Sequence, residues 1–375
     1  MRLFGLKKTT DADNTRDLAE NISIGVKVSE PDAEDIPTLE SRISKAFPSS
    51  RGLYPHEILM LEYASSYKIS GNEFQKFWKW DYSVLDPQNI LDSLYKRGFI
   101  CCGDVGFSLK KLLVSDLKKI LARKGEKISG KKDDLIKRII STYSIEELEN
   151  IIRDRYYALT PVGIEELQEN EYIPYLHRHR YMSVWDMNIA LHSDNLAHRP
   201  YRDIIWDEFN KQSHEHFLNF DFGLYRNTRL SMHDFLFEEE KYKTAFDVLC
   251  EVISFDLSGL GNGNKPETFS LFSKQMQYEM KMTNLFMAEN KSEVTVPSGI
   301  IQYFSRLYTK LNMDAEEFIR YTYQRFEDIQ IHDRIFTGSE CANIILSEIG
   351  LENRKIINSR SIAEQRVKEK LKFNQ

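Results

Sequence analysis

The sequence predicts a mainly α-helical fold that contains more than one domain. Apolar residues recur at spacings of three and four along much of the chain, which is typical of amphipathic helices. Strand-like alternation of apolar and polar residues is rare, above all after Tyr172. A chain of 375 residues with 41% hydrophobic and 12% aromatic residues can build hydrophobic cores in two or three domains.

Charge restricts how this chain could meet nucleic acid. The formal net charge is −6 and the sequence pI is about 5.9. A molecule of this charge repels phosphate groups at long range. Any contact with nucleic acid must therefore come from a locally basic patch.

Cysteine usage and hydropathy predict a cytoplasmic protein. The four cysteines form no CxxC pair, and this pattern favours a reducing compartment. The adjacent Cys101 and Cys102 predict small buried residues on a strand. The apolar part of the start MRLFGLKK is too short for a signal peptide, and no run of about 18 apolar residues indicates a membrane span. We therefore expect no contact with a membrane.

Residues 1–50 are expected to form a flexible N-terminal arm. They mix polar residues and proline with scattered isoleucine and valine, without sustained periodicity. The arm ends in a turn-rich segment that runs from Phe47 to Gly52.

Three helices are predicted after this arm. The first begins near Pro55, a residue that favours the first helical turn. The second is rich in phenylalanine and tryptophan. The third has the clearest boundaries, because Asp86 can cap it, Pro87 takes its first position and Gly98 ends it.

Two strands and a fourth helix complete this region. Residues 99–102 predict one strand, and residues 156–159 predict the strand that returns to it, with Thr160 and Pro161 starting the next helix. A helix that ends in Gly-Phe-Ile and a later Leu-Thr-Pro-x-Gly resemble the winged-helix superfamily. The resemblance implies a winged-helix-like domain at residues 51–175 with an insertion in its wing. Two unrelated helical bundles that flank the insertion are the alternative.

The insertion is strongly basic and has two apolar stripes at helical spacing. Between Lys110 and Arg138 there are eleven Lys or Arg residues against four acidic residues. The stripes consist of Leu113, Leu117, Ile120 and Leu121, and of Leu135, Ile136, Ile139 and Ile140. They must pack on each other or on a host domain, which leaves the basic side chains outward.

The turn between these two helices is a candidate phosphate site. A helix N-terminus presents free N–H groups and the positive end of the helix dipole. A glycine permits close approach of a phosphate, and Lys131 and Lys132 add cationic contacts. The predicted DNA-binding residues are Lys118, Lys119, Arg123, Lys124, Lys127, Ser129, Gly130, Lys131, Lys132, Lys137 and Arg138.

Residues 109–141 resemble the SAP domain family, a helix-loop-helix module that binds DNA. The matching residues are Leu117, Leu121, Gly125, Gly130, Lys132, Leu135, Arg138 and Ile139. Glu126 departs from the family, which usually has an apolar residue there, and Ile128 is the expected substitute. The resemblance implies duplex DNA binding with weak sequence preference, as a tether for another function. The chain as a whole is similar to SAP-domain proteins of Gram-positive bacteria and their phages.

The third predicted helix is a second candidate for reading DNA, because it takes the recognition-helix position of a winged helix. Its polar residues are Gln88, Asn89, Asp92, Ser93, Lys96 and Arg97. Its modest charge favours it less than the basic insertion.

Residues 176–375 are predicted to form an all-helical, repeat-like body. The stretch 231–256 resembles one tetratricopeptide unit, in which Tyr242 and Ala245 close the helix pair and Asp256 ends it. The small Ala245 permits close approach of two helices. Such a body offers a surface for a protein partner.

The sequence predicts no catalytic residues, metal site or cofactor. Nucleophile elbows, Walker loops and paired-carboxylate signatures are missing. Seven of the nine histidines fall between residues 177 and 233, but their spacing of two places neighbouring imidazoles on opposite sides of a helix. A non-enzyme is favoured. The alternatives are a DNA-processing enzyme that uses His214, His216 and His233, and a protein-interaction scaffold whose basic helices bind an acidic partner.

Overall fold

The computed structural model of the chain describes residues 37–69, 71–193, 199–285, 296–331, 334–352 and 360–371. These residues form twenty helices and two short strands, so the prediction of a mainly α-helical fold is confirmed. No helix among them is both long and apolar enough to cross a bilayer. The described residues fall into two compact units that divide between Ile204 and Ile205. The predicted division into three parts stays a prediction.

The helices and strands are numbered in chain order. The first unit contains α1 Leu39–Ile43, α2 Pro55–Ala64, α3 Phe77–Trp80, α4 Pro87–Lys96, β1 Ile100–Cys102, α5 Val105–Lys111, α6 Val114–Arg123, α7 Lys132–Thr142, α8 Ile145–Ile151, β2 Tyr157–Leu159, α9 Pro161–Glu169, α10 Tyr172–His179 and α11 Val184–Leu191. Helix α12 Tyr201–Leu218 spans the division. The second unit continues with α13 Phe222–Glu238, α14 Tyr242–Asp256, α15 Pro266–Leu271, α16 Lys274–Leu285, α17 Ser298–Leu311, α18 Ala315–Asp328, α19 Gly338–Glu348 and α20 Arg360–Lys370.

Most of the predicted N-terminal arm, residues 1–36, lies outside the described residues. Its last part, residues 37–50, contains α1 and is bonded to α11. The main-chain N–H of Phe47 donates to Asn188 Oδ1 at 2.8 Å, and Asn188 Nδ2 donates to the Phe47 carbonyl at 3.0 Å. The Phe47 ring also stacks on His192, with 4.6 Å between ring centroids. The buried side-chain amide of Asn188 therefore fixes the main chain at Phe47.

Helix α2 is the centre of the first unit, and α4, α9, α10 and α11 pack around it. Four consecutive residues of α2, from Ile58 to Leu61, are almost fully buried, which is the pattern of a helix enclosed on all sides. Helix starts follow the predicted caps. Pro55 takes the first position of α2, and the Asp86 carboxylate accepts the N–H groups of Gln88 and Asn89 at 3.1 and 3.4 Å.

The two predicted strands pair in antiparallel register, with Cys101 opposite Ala158 and Cys102 opposite Tyr157. The chain between them, residues 103–156, forms the insertion. The prediction that Cys101 and Cys102 are buried is wrong, because both are exposed. Among the described residues the sheet has only two strands, and the packing that buries Ile100 does not extend to the two cysteines.

The Leu-Thr-Pro-x-Gly motif brings α9 very close to the start of β1. Thr160 Oγ1 donates to the Gly98 carbonyl at 2.7 Å and accepts the N–H of Gly163 at 3.2 Å. A Cβ atom added to Gly163 would lie 2.1 Å from the Phe99 carbonyl oxygen. Only a residue without a side chain fits there.

Gly163→Ala is therefore expected to destabilise the first unit by roughly 1–3 kcal/mol, because the strand and the helix must move apart. Thermal unfolding followed by tryptophan fluorescence measures this change. Gly299→Ala is the matched control, since an added Cβ would meet nothing within 4 Å outside its chain neighbours and the backbone of its own helix, and alanine favours a helix. Equal melting temperatures for Gly163→Ala and the wild type would contradict the close approach.

The second unit is built around α14. This helix lies alongside α13 after the turn at 239–241 and also contacts α17 and α18. Ala245 is fully buried, as expected for a small residue between close helices. The Phe246 ring lies 5.2 Å from the ring of Phe304 and 5.4 Å from that of Phe318, measured between centroids. The tetratricopeptide likeness of α13 and α14 stays a prediction.

Candidate nucleic-acid interface

The insertion has a hydrophobic core of its own, built from four helices rather than the two that carry the predicted stripes. Helices α5 and α8 flank the predicted pair, α6 and α7. The core residues are Val105, Leu109, Leu117, Ile120, Leu121, Leu135, Ile136, Ile139, Tyr143, Leu148 and Ile152. Two members of the predicted stripes stay outside it, because Leu113 is 70% exposed and Ile140 is 52% exposed. The basic helix pair is thus part of a small four-helix body.

A glycine turn ends α6. Gly125 has φ of +71°, a conformation that favours glycine. The N–H of Glu126 reaches back to the Leu121 carbonyl at 3.1 Å. The backbone closes this helix end, so the turn needs no apolar side chain at Glu126. Ile128 does not fill the core in its place, because it is 47% exposed.

A second glycine precedes α7. Gly130 has φ of +137°, and an added Cβ would lie 3.3 Å from the Asp134 Cβ. The Asp134 carboxylate accepts the main-chain N–H of Lys131 at 3.2 Å. One donor at this helix start is therefore already occupied, and Asp133 and Asp134 add negative charge beside it. A phosphate at the predicted site would therefore lie beside these two acids.

Three of the predicted cations are engaged within the insertion. Lys124 Nζ lies 2.7 Å from Glu147 Oε1 and 4.2 Å from the centre of the Tyr143 ring. This hydrogen bond from Lys124 lowers the pKa of the Glu147 carboxyl. Lys119 pairs with Asp116 at 2.9 Å, an exposed contact that contributes little to stability.

The third engaged cation is Arg138, which donates to the main-chain carbonyls of Lys127 and Ser129. The other predicted cations have no ion-pair partner among the residues that the structure describes. All of them are exposed or partly exposed. These six are Lys118, Arg123, Lys127, Lys131, Lys132 and Lys137.

The second candidate surface, on α4, is mostly engaged with its own unit. The Gln88 amide accepts from Asn72 Nδ2 at 3.2 Å and donates to Asp92 Oδ1 at 3.0 Å. Arg97 pairs with Glu57 at 2.9 Å. Of its other polar residues, Asn89, Asp92 and Lys96 are exposed, and Ser93 is partly buried. The exposed charges on this helix, Asp92 and Lys96, cancel.

The histidines do not assemble a metal site in the described part of the chain. No group of three or more side chains from His, Cys, Asp and Glu is placed there to hold a metal ion. His233 is fully buried, its Nδ1–H donates to the Ala245 carbonyl at 3.0 Å, and burial lowers its pKa to about 4. His214 is exposed and His216 lies two residues further along α12. DNA could not reach His233 without opening the helix pair.

One known protein family matches the insertion. The family model described as SAP domain matches residues 108–143, a span that includes the whole of the predicted segment 109–141 and both helices α6 and α7. Neither the curated proteins nor the solved structures contain a match to the chain. The chain therefore carries a SAP domain at residues 108–143.

Proposed function

We propose that this protein is a DNA-binding tether or adaptor that binds duplex DNA through its SAP domain with weak sequence preference. A SAP domain indicates DNA binding in general. The observation that carries the proposal is a set of six cations without an ion-pair partner among the described residues, on one small helical body of an otherwise acidic chain. The predicted site residues are part of this proposal, with Lys124 and Arg138 assigned to the internal structure of the domain.

The expected mode of binding follows from the chemistry of these cations. Lysine is a point charge on a flexible stem, which suits phosphate rather than base edges. Phosphate contacts position a protein on the duplex but carry no sequence information. The rest of the chain is acidic and repels DNA, so affinity is expected to be weak and strongly dependent on salt.

Titration of labelled duplex DNA with the full chain, followed by fluorescence anisotropy over a range of salt, tests the proposal. We expect log affinity to fall linearly with log salt, with a slope of magnitude up to about 5 for six cations at about 0.9 per neutralised phosphate. Duplexes of unrelated sequence should compete almost equally well. Absence of binding at low salt would exclude the DNA tether. Pull-down of an acidic protein from nuclease-treated lysate would then support the scaffold alternative.

We further propose that the host of the SAP domain is winged-helix-like, with the insertion in its wing. The order of three helices, β1, insertion, β2 and α9 supports this proposal. In this arrangement α4 takes the recognition position. Its engaged Gln88 and Arg97 leave the SAP domain as the main DNA contact.

The helical body of residues 176–375 is proposed to bind a protein partner, which DNA binding would bring to the chromosome. Its support is the tetratricopeptide-like pairing of α13 and α14, with the small Ala245 buried between close helices. A cytoplasmic setting in a bacterium or phage-infected cell belongs to the same proposal. The four free cysteines fit a reducing compartment.

A further inference from the structure

The Arg138 side chain is directed towards the protein's own main chain and not towards solvent, where a DNA phosphate would lie. Its guanidinium lies against the loop between α6 and α7, where Nη1 donates to the carbonyl oxygens of Lys127 and, at 3.3 Å, Ser129. No carboxylate contacts it among the described residues. Its donors are thus directed to the main chain of the loop.

The loop has little else to hold its shape. Its ends are fixed by the Gly125 turn and by Asp134, which accepts the N–H of Lys131. Between these two points, the described residues offer the main chain no hydrogen bond other than those from Arg138. The conformation of residues 127–130 therefore depends on this one side chain.

The two hydrogen bonds from Arg138, together called the clamp, determine where the loop amides point. In a planar trans peptide the carbonyl and the next N–H point in opposite directions. Since the carbonyls of Lys127 and Ser129 face Arg138, the N–H groups of Ile128 and Gly130 face the other way, into solvent. Lys127 and Lys131 flank these two amides. Main-chain N–H groups beside cations are a common way to bind phosphate.

We propose that Arg138 is a positioning residue for DNA binding: it fixes the loop so that the N–H groups of Ile128 and Gly130 are presented to a DNA phosphate. The inference rests on the proposed function, because it concerns how the SAP domain holds duplex DNA. It changes the role of Arg138 from a phosphate ligand to an internal clamp.

Arg138→Lys separates the two roles, because it keeps the charge but a lysine ammonium cannot reproduce the planar guanidinium contact with two carbonyls. A phosphate ligand would keep its charge contact after this change, and the loop of the free protein would keep its wild-type conformation. If Arg138 is a positioning residue, the Arg138→Lys protein should bind duplex DNA about tenfold more weakly, which is the effect of losing one charged hydrogen bond. Lys137→Gln on the same helix is the matched control. It removes an exposed charge and should lower the salt slope by about 0.9.

Amide resonances of Ile128 and Gly130 in the intact chain provide the second measurement. We expect both to shift when duplex DNA is added to the wild type. Both should already be displaced in free Arg138→Lys, while free Lys137→Gln keeps the wild-type positions. Wild-type affinity together with wild-type amide positions in Arg138→Lys would overturn the positioning role of Arg138, but not the proposal that the SAP domain binds DNA. A wild type that fails to bind DNA would overturn the proposed function as well, and the free-protein spectra would still show whether the clamp exists.

Discussion

Lys131→Glu/Lys132→Glu is expected to lower the affinity for duplex DNA roughly 100-fold at about 50 mM salt, and to reduce the salt slope by about 1.8, the contribution of two phosphates. Both lysines lie at the start of α7 beside the loop amides. Glutamate at a helix start interacts favourably with the helix dipole, so the variant should keep its fold. Anisotropy titrations over a range of salt measure both quantities.

Lys241→Glu/Lys243→Glu is the matched control. It makes the same change in total charge at two exposed lysines at the start of α14, in the other unit. If long-range repulsion alone governs binding, both double variants lose the same affinity. If the SAP domain is the contact, the control stays within a few-fold of the wild type at physiological salt, because a charge that does not touch the DNA is screened beyond about 8 Å. Equal losses of DNA affinity in the two double variants would show that the loop does not contact DNA.

Acidification is expected to destabilise the first unit strongly, with His56 alone contributing about 3 kcal/mol between its two pKa values. Burial lowers the pKa of His56 from 6.5 to about 4. The unfolded chain binds this proton near pH 6.5, whereas the folded chain resists it until about pH 4. The unfolded state therefore holds more protons in that window, and stability falls as the pH drops through it.

His177 adds to the same trend. It bridges two tyrosine hydroxyls, with Nε2 3.0 Å from Tyr63 and Nδ1 3.0 Å from Tyr82. Burial, helped by the nearby charge of Arg180, lowers its pKa to about 4. A protonated ring donates from both nitrogens, so the tyrosine hydroxyl that donates to the neutral ring must turn and accept instead.

Urea unfolding at a series of pH values, followed by tryptophan fluorescence, measures this effect. The Trp185 ring stacks near His56, with centroids 5.8 Å apart, so its emission reports on this region. His56→Phe should reduce the pH dependence between about pH 4 and pH 6.5 and leave the part that His177 contributes. His214→Gln, at an exposed position in the other unit, should leave it as steep as in the wild type. A wild type whose unfolding free energy is constant over this range contradicts the assignment.

Much of the fold could be predicted because it depends on local signals. Asp86 and Pro87 start α4 through cap geometry, and Gly125 ends α6 through its positive φ. The SAP segment combined such signals with two apolar stripes. Periodicity also misled at the edges: Leu113 fits the spacing of α6, yet it precedes the helix and faces solvent.

For the site itself, the sequence predicted which basic residues belong to it, but not which of them are engaged in contacts within the protein. Helical spacing marks Lys124 and Arg138 as outward cations, and nothing in the sequence pairs Lys124 with Glu147 on another helix. Nor does it show that the loop folds back so that Arg138 meets the Lys127 carbonyl. These contacts depend on tertiary packing, which decides which charges remain for DNA. The burial of His233, one of the candidate catalytic residues, has the same origin.

The strand pair that brackets the insertion also sets an order of events during biosynthesis. β1 leaves the ribosome first, and its partner follows only after residues 103–156 have been made, on the order of several seconds at typical translation rates. The insertion has its own core and can fold in that interval. Its folding brings Cys102 and Tyr157 together and shortens the loop that the host must close. A mutation that unfolds the SAP domain should therefore delay maturation of the host, even where it touches no host residue.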